Sequence, residues 1–431
     1  MRVRVNTKVS PHPPLRPDAA AWHGRWLLAA PHRLGFAAAM AVLLSASVWW
    51  SWILMQRVWP LAPPPLALAP ILVHGVVMTL GFMPLFVAGF TFTAGPKWLA
   101  MPPLPAQALL GPVVLQLVGW VAWLIGAHSG VVWALLGLLA AATGQAWQMV
   151  RFTGLCWRSR ATDRWHAAII AAAGWSGVAH LLALAGAVWA QDIALALLLV
   201  RTAVWLCLVP TFVAALHRLV PFFTSNALPM VELWRPWWVL IVLLTAAAVE
   251  ALFEVGAGWR EGGPPRALML GRGLFELVVG AIVLWLALVW GLVQALSIRL
   301  LAMLHLGVLW LGLAFCLLGA SQLLGLRQGW PLLGLGAWHA LTMGFLGSIL
   351  YAMVTRVSCG HGGRKLLADQ ATWWGFWALQ AAVLLRVSSA LWPNESAALA
   401  LTAAVWLLAI VPWGLRLLSW YGRPRPDGRP G

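Results

Sequence analysis

The chain has 431 residues, of which 62% are hydrophobic and only 9% charged. A soluble domain carries about 45–50% apolar residues and about a quarter charged ones, so an ordinary globular enzyme, a disordered chain and a nucleic-acid binder are all excluded. The net charge of +17 comes from 28 Lys and Arg against 11 Asp and Glu, and these basic residues sit mostly in short loops and tails, where membrane topology accounts for them.

Apolar runs of about 18 residues or more, each long enough to cross a bilayer, recur along the chain. They predict an all-α, polytopic membrane bundle of about twelve helices, over residues 34–56, 68–92, 109–125, 131–149, 167–189, 193–216, 237–255, 268–292, 298–318, 333–355, 373–391 and 397–418. Pro and Gly clusters punctuate the runs, among them Pro63-Pro64-Pro65, Pro102-Pro103 and Gly262-Gly263-Pro264-Pro265. Trp crowds their ends, as at Trp49-Trp50, Trp237-Trp238 and Trp373-Trp374, where an apolar ring with one N–H suits the headgroup level. The expected organisation is a basic, proline-rich cytoplasmic tail at 1–33, a single transmembrane bundle at 34–418 and a cytoplasmic tail at 419–431. The first run is too long for the core of a cleaved signal peptide.

Positive charge sets the expected orientation. With the N-terminus inside, the inner segments collect twenty-one Lys and Arg and the outer loops five: Arg57, Arg260, Arg266, Arg272 and Arg327. Both termini are therefore expected in the cytoplasm. The four cysteines (Cys156, Cys207, Cys316, Cys359) form no C-x-x-C pair, so neither a disulfide framework nor a thiolate zinc site is expected.

Ionisable side chains inside a span are costly and point to function. Five histidines qualify: His74, His180, His217, His305 and His339. At the helical rise per residue, His74 and His339 each lie about 9 Å below the outer boundary of an inward-running span, and so share a depth. Each is followed four residues later by a methionine, Met78 or Met343, one turn deeper on the same face. Neutral imidazole and thioether suit haem iron and copper, whereas calcium or magnesium would ask for several oxygens. For His180 and His217 the plainer reading is a hydrogen bond to a neighbouring carbonyl, and for the methionines it is gap-filling. Arg201 and Glu276 lie at one depth and are expected to pair, either to fix helix packing or with Arg201 holding an anionic group and Glu276 relaying protons. Glu250, Glu254 and Asp192 are expected at outer ends reached by water.

Three stretches carry a family resemblance, and a fourth also fits it. His339-Ala-Leu-Thr-Met-Gly followed by Thr355-Arg356-Val-Ser-Cys-Gly-His361-Gly-Gly-Arg364 resembles the H-A-L-T-x-G and T-R-V-S-x-G-H-x-G-R blocks of the NnrS proteins. Val220-Pro221-Phe-Phe-Thr224-Ser-Asn226 is similar to that family's I-P-F-F-T-x-N. Phe90-Thr-Phe-Thr93-Ala-Gly-Pro96-Lys-Trp98 is similar to its F-L-L-T-A-x-P-x-W, and Leu304-His305-Leu-Gly307 to its L-H-x-G. One block departs: where the family usually reads H-x-H-E-M, this chain reads His74-Gly-Val76-Val77-Met78.

The resemblance implies a multi-pass protein of the bacterial inner membrane that binds haem and copper and takes part in nitric oxide metabolism or resistance to nitrosative stress. On that reading an axial imidazole comes from His74 or His339, copper takes His305 or the methionine pair, Arg201 faces a haem propionate, and the small diatomic nitric oxide arrives through the lipid bilayer. His361 and Arg364 bind an anion or seal the cytoplasmic face. Two other readings stand beside it. A secondary transporter with no redox centre fits twelve spans, with Pro84 and Pro210 as helix breakers. A reduced, one-haem relative of the haem-copper oxidases and nitric oxide reductases fits the intramembrane histidines, although no adjacent His-His pair is present.

Overall fold

The computed structural model describes residues 21–59, 65–258 and 264–427. Twelve of its helices are long and apolar enough to cross a membrane. In chain order they are α1 (Pro31–Met55), α2 (Pro70–Trp98), α3 (Ala106–Ser129), α4 (Val131–Arg158), α5 (Trp165–Trp189), α6 (Ile193–Ala227), α7 (Trp237–Gly258), α8 (Arg266–Val289), α9 (Arg299–Arg327), α10 (Leu335–His361), α11 (Gln370–Leu391) and α12 (Glu395–Tyr421). No strand occurs among the described residues. The all-helical, twelve-span expectation holds.

The helices overrun their predicted ends in informative places. α4 continues to Arg158, so Arg151 and Cys156 lie on helix rather than in a basic loop. α6 runs through the whole Pro221–Asn226 block, and α10 ends only at His361. α8 begins at Arg266, two residues before its expected start, and Arg272, counted among the outer basic residues, is buried in its second turn. At the N-terminal side a short 3-10 turn, Gly24–Ala29, leads into α1 at Pro31, three residues before the expected boundary. Most of the expected basic tail, residues 1–20, and the Gly262-Gly263 pair lie outside the described residues.

Neither proline expected to break a helix does so. Pro84 has no N–H to offer the Leu80 carbonyl, and Pro210 none for Leu206. The backbone instead widens into a π turn just before each, at Val77–Gly81 and Val204–Leu208, and the helix runs on. A third π stretch, Ala340–Gly347 in α10, contains no proline. Such insertions re-aim side chains and gather at functional sites. Two of the three begin within three residues of His74 or at the residue after His339, and they hold Met78 and Met343.

Close packing without a hydrophobic drive between helices needs small residues at the crossings. α3 and α4 meet in this way: a Cβ added to Gly119 would stand 2.6 Å from the Gly137 carbonyl oxygen, and one on Gly137 the same distance from that of Gly119. α2, α9 and α10 are the most enclosed spans, while α3, α7, α8 and α11 keep broad apolar outer faces such as Val118, Leu252, Leu274 and Leu384. That pattern puts the centre of the bundle at α2, α9 and α10, with leucine and valine turned toward lipid.

Segments near the two ends of the described chain, residues 23–33 and 422–423, meet at one face. His23 N–H donates to the Gly422 carbonyl (2.8 Å), and Arg33 Nη1 donates to that of Arg423 (2.8 Å). Within the bundle, Trp406 Nε1 of α12 donates to Ser47 Oγ of α1 (2.9 Å).

Candidate functional site

A cavity of about 310 Å³ opens between α1, α2, α6, α10, α11 and α12. That is the lower end of the range for small-molecule and cofactor sites. Its wall carries His74, Met78, His339 and Met343, with Arg201 and Arg386. The two imidazoles that share a depth by residue counting also share this space: their ring centroids are 6.4 Å apart and the planes 14° from parallel. Trp50 of α1 stacks on His74 at 4.1 Å and 18°, fixing that ring from the other side.

The hydrogen bonds settle one tautomer. His339 Nδ1 lies 2.7 Å from the Leu335 carbonyl oxygen, which can only accept. Nδ1 therefore carries the proton, and the Nε2 lone pair is left for another partner. A ligating histidine is held in just this way, by a carbonyl on the opposite nitrogen. His74 Nδ1 is buried and has no hydrogen-bond partner among the described residues.

Cationic groups border the same cavity. Arg386, 9% exposed, donates from Nη1 to Ser389 Oγ (2.8 Å). Arg57 and Arg201 reach the wall from α1's end and α6, and Glu395 is the acidic residue on it. Arg386 is the most buried cation beside the two imidazoles.

The other histidines stand elsewhere. His180 has both ring nitrogens engaged, Nδ1 with the Ser176 carbonyl (2.7 Å) and Nε2 with Thr202 Oγ1 (3.2 Å). His305 Nε2 meets Thr224 Oγ1 at 2.8 Å; that hydroxyl already donates to the Val220 carbonyl, so it accepts from the imidazole. His305 is not on the wall of the cavity that holds the methionine pair. His217 Nε2 donates to the Pro236 carbonyl (3.1 Å), which leaves Nδ1 to accept from His166 Nε2 at 3.0 Å. His166 was missed by the sequence reading: it sits in the first turn of α5, fully buried, and only the fold reveals its partner and Asp163 beside it.

The expected Arg201–Glu276 pair does not form. Arg201 turns to Glu254 of α7 (3.6 Å), and Glu276 accepts from Arg272 Nε one turn back on its own helix (2.9 Å). Both residues enter one cluster, but through different partners: Arg201 through Glu254, and Glu276 through Arg272. Glu250 and Glu254, expected in water, are 0% and 5% exposed.

The remaining motif residues collect at the face where the chain ends meet. Arg356 lies over the Phe223 ring (3.9 Å), joining the α10 block to the Pro221–Asn226 block, and Arg218 lies over Trp98 (5.1 Å), two residues beyond the buried Pro96. The His361 ring approaches His32 (5.2 Å), and Arg364 covers Trp420 (4.1 Å). Thr224 is buried within this group, while Asn226 is exposed at the end of α6. Below the same face Asp369 caps α11 and takes both terminal nitrogens of Arg416, at 2.6 and 2.9 Å.

Hydrogen bonding from Arg416 holds the Asp369 carboxyl below the usual carboxylate range. A lowered folded-state value gives stability that is fully present above the unfolded value, about 3.9, and is lost as pH falls through the folded one. Asp369→Asn is expected to cost less than about 1 kcal/mol at neutral pH, because the pair is half exposed and screened. In thermal melts the gap between the two proteins should stay constant above about pH 5 and narrow below about pH 4. A gap that widened in acid would contradict this.

Among the described residues no three His, Cys, Asp or Glu converge as a metal-holding group. Haem supplies its own equatorial nitrogens and asks a protein only for axial ligands. Two imidazoles with a free lone pair assigned on one of them, two thioethers and flanking arginines are a donor set that fits haem iron with its anionic propionates, or a soft copper ion. The valines at the departing block do not bear on that fit: Val76 and Val77 are fully buried, and neither lines the cavity.

No protein with a curated description matches the chain. The family model described as NnrS protein matches residues 26–425. With nearly its whole length covered and its intramembrane histidines gathered as described, this multi-pass membrane protein belongs to the NnrS family.

Proposed function

We propose that the cavity between α2 and α10 binds haem, which His339 or His74 would hold through its iron, and that the protein serves the response to nitric oxide in the bacterial cytoplasmic membrane. The observation that carries this is the pair of imidazoles 6.4 Å apart, one of them held by a carbonyl with its Nε2 lone pair free. Bound haem would supply a metal centre that takes a diatomic ligand. The protein's part is to bind, orient and exclude water. The Leu335 carbonyl fixes the His339 tautomer, Trp50 clamps His74, and Arg386 with Arg201 offers positive charge to propionates. Met78 and Met343 are the residues for a copper ion, as thioethers prefer soft metals. His305 is a separate candidate, since its Nδ1 is buried and unpartnered among the described residues. Nitric oxide, small and apolar enough to dissolve in lipid, needs no polar channel to reach this depth. The excess of Lys and Arg in the segments on the side of the chain ends supports placing both termini in the cytoplasm.

The test is an optical spectrum of the detergent-purified protein, oxidised and reduced, with metal analysis of the same sample. A Soret band that sharpens on reduction and shifts with nitric oxide is the expected result. A colourless, metal-free protein from haem-replete cells overturns the proposal.

A further inference from the structure

α7 and α8 bury three carboxylates around a single guanidinium. Arg272 Nη2 donates to Glu250 (2.8 Å) and to Glu254 (2.6 Å), and Nε to Glu276 (2.9 Å). Arg201 of α6 adds a second cation at 3.6 Å from Glu254, with its side chain half exposed. From α9, which packs on α8, the titratable group at this crossing is the Cys316 thiol beside Gly280. Phe253 lies under the Arg272 guanidinium and closes the cluster with a ring rather than a charge.

Formal charge does not balance here. Two arginines face three glutamates, which leaves one negative charge inside a membrane span, where an uncompensated charge is strongly unfavourable. Two fully buried atoms make the deficit specific: Glu250 Oε1 and Glu276 Oε2 have no hydrogen-bond partner among the described residues. The one Arg272 side chain holds both carboxyls, Glu276 on Nε and Glu250 on Nη2, so the two sit side by side around it. Ionised carboxylates only accept, so two of them side by side repel; with one proton between them, one becomes a donor and the excess charge disappears.

We propose that Glu250 and Glu276 share one proton and form a proton-binding site within the membrane, and that Arg201 links it to the His74–His339 cavity. Arg201 is the side chain that belongs to both places, standing on the cavity wall and against Glu254. A change of charge in the cavity is thereby felt at the carboxyl pair, which takes up or gives back its proton in response. The site goes beyond the haem reading and does not depend on it.

The experiment is infrared spectroscopy of the full-length protein in detergent, titrated with pH in light and heavy water, whatever its pigment content. At neutral pH the wild type should show the carbonyl stretch of a protonated carboxylic acid, moved by deuterium. Glu276→Gln and Glu250→Gln, which mimic the protonated acid in shape, should each remove it. Arg201→Gln, a half-exposed change that keeps the fold, should hold the band to higher pH by about one unit, since a nearby cation disfavours the protonated acid. A wild type with no such band at neutral pH overturns the proposal even if the glutamine variants fail to fold. A band that persists in both glutamine variants overturns it as well, and a band indifferent to Arg201→Gln removes the link to the cavity.

Discussion

Arg272→Met is expected to destabilise the protein by about 3–5 kcal/mol, the usual cost of breaking a buried ion pair from one side. The guanidinium serves Glu250, Glu254 and Glu276 at once, and all four side chains are nearly or fully out of solvent. Removing it strands the carboxylates between α7 and α8, where no water can stand in. Arg272→Lys should recover little, because a single ammonium cannot reproduce the forked geometry that serves three partners. Replacing Arg272, Glu250, Glu254 and Glu276 together by apolar residues of similar size should recover most of the loss, as the cost lies in the orphaned charges rather than in the missing attraction. Thermal unfolding in detergent followed by tryptophan fluorescence measures all three. An Arg272→Met protein as stable as the wild type would show that the cluster carries no charge to balance.

The second large effect concerns pigment. His339→Ala is expected to lower haem content per protein by at least about tenfold, since even losing an outer partner of a ligating histidine costs about 10–100-fold in affinity. His74→Ala should also lose haem, and it further frees Trp50 to enter the space the imidazole leaves. His180→Ala should leave the spectrum unchanged, because both of its nitrogens are occupied by Ser176 and Thr202. The measurement is the ratio of Soret to protein absorbance for the three variants purified alike. Haem lost with His180 and kept without His339 would sink the assignment of the site.

Much of this architecture is legible from the chain alone. The twelve spans are, because bilayer thickness imposes a length that composition satisfies again and again. The shared depth of His74 and His339 is too, because helical rise converts sequence position into depth, whereas their approach to 6.4 Å comes from packing. Depth is only one of two coordinates, however. Which partner a side chain meets depends on packing, and Arg201 and Glu276 enter one cluster but pair with Glu254 and Arg272 rather than with each other. Glu250 and Glu254 read as water-reached ends since nothing in their local sequence announces the arginine on the next helix. Pro84 and Pro210 flag where α2 and α6 loosen, but the π stretch after His339 has no proline to betray it. His166 escaped notice because a histidine at a helix boundary looks hydrated until a second one is found 3.0 Å away.

The clasp between the two ends of the chain bears on how such a bundle is made. α1 leaves the ribosome before the other eleven spans described, yet one of its main neighbours, α12, follows all of them. Until Trp406 arrives to meet Ser47, and Gly422 and Arg423 arrive to meet His23 and Arg33, one flank of α1 faces lipid. Enclosure of α1 thus waits for α12, and a nascent chain cut short anywhere before α12 leaves an open bundle in which that flank of α1 stays uncovered.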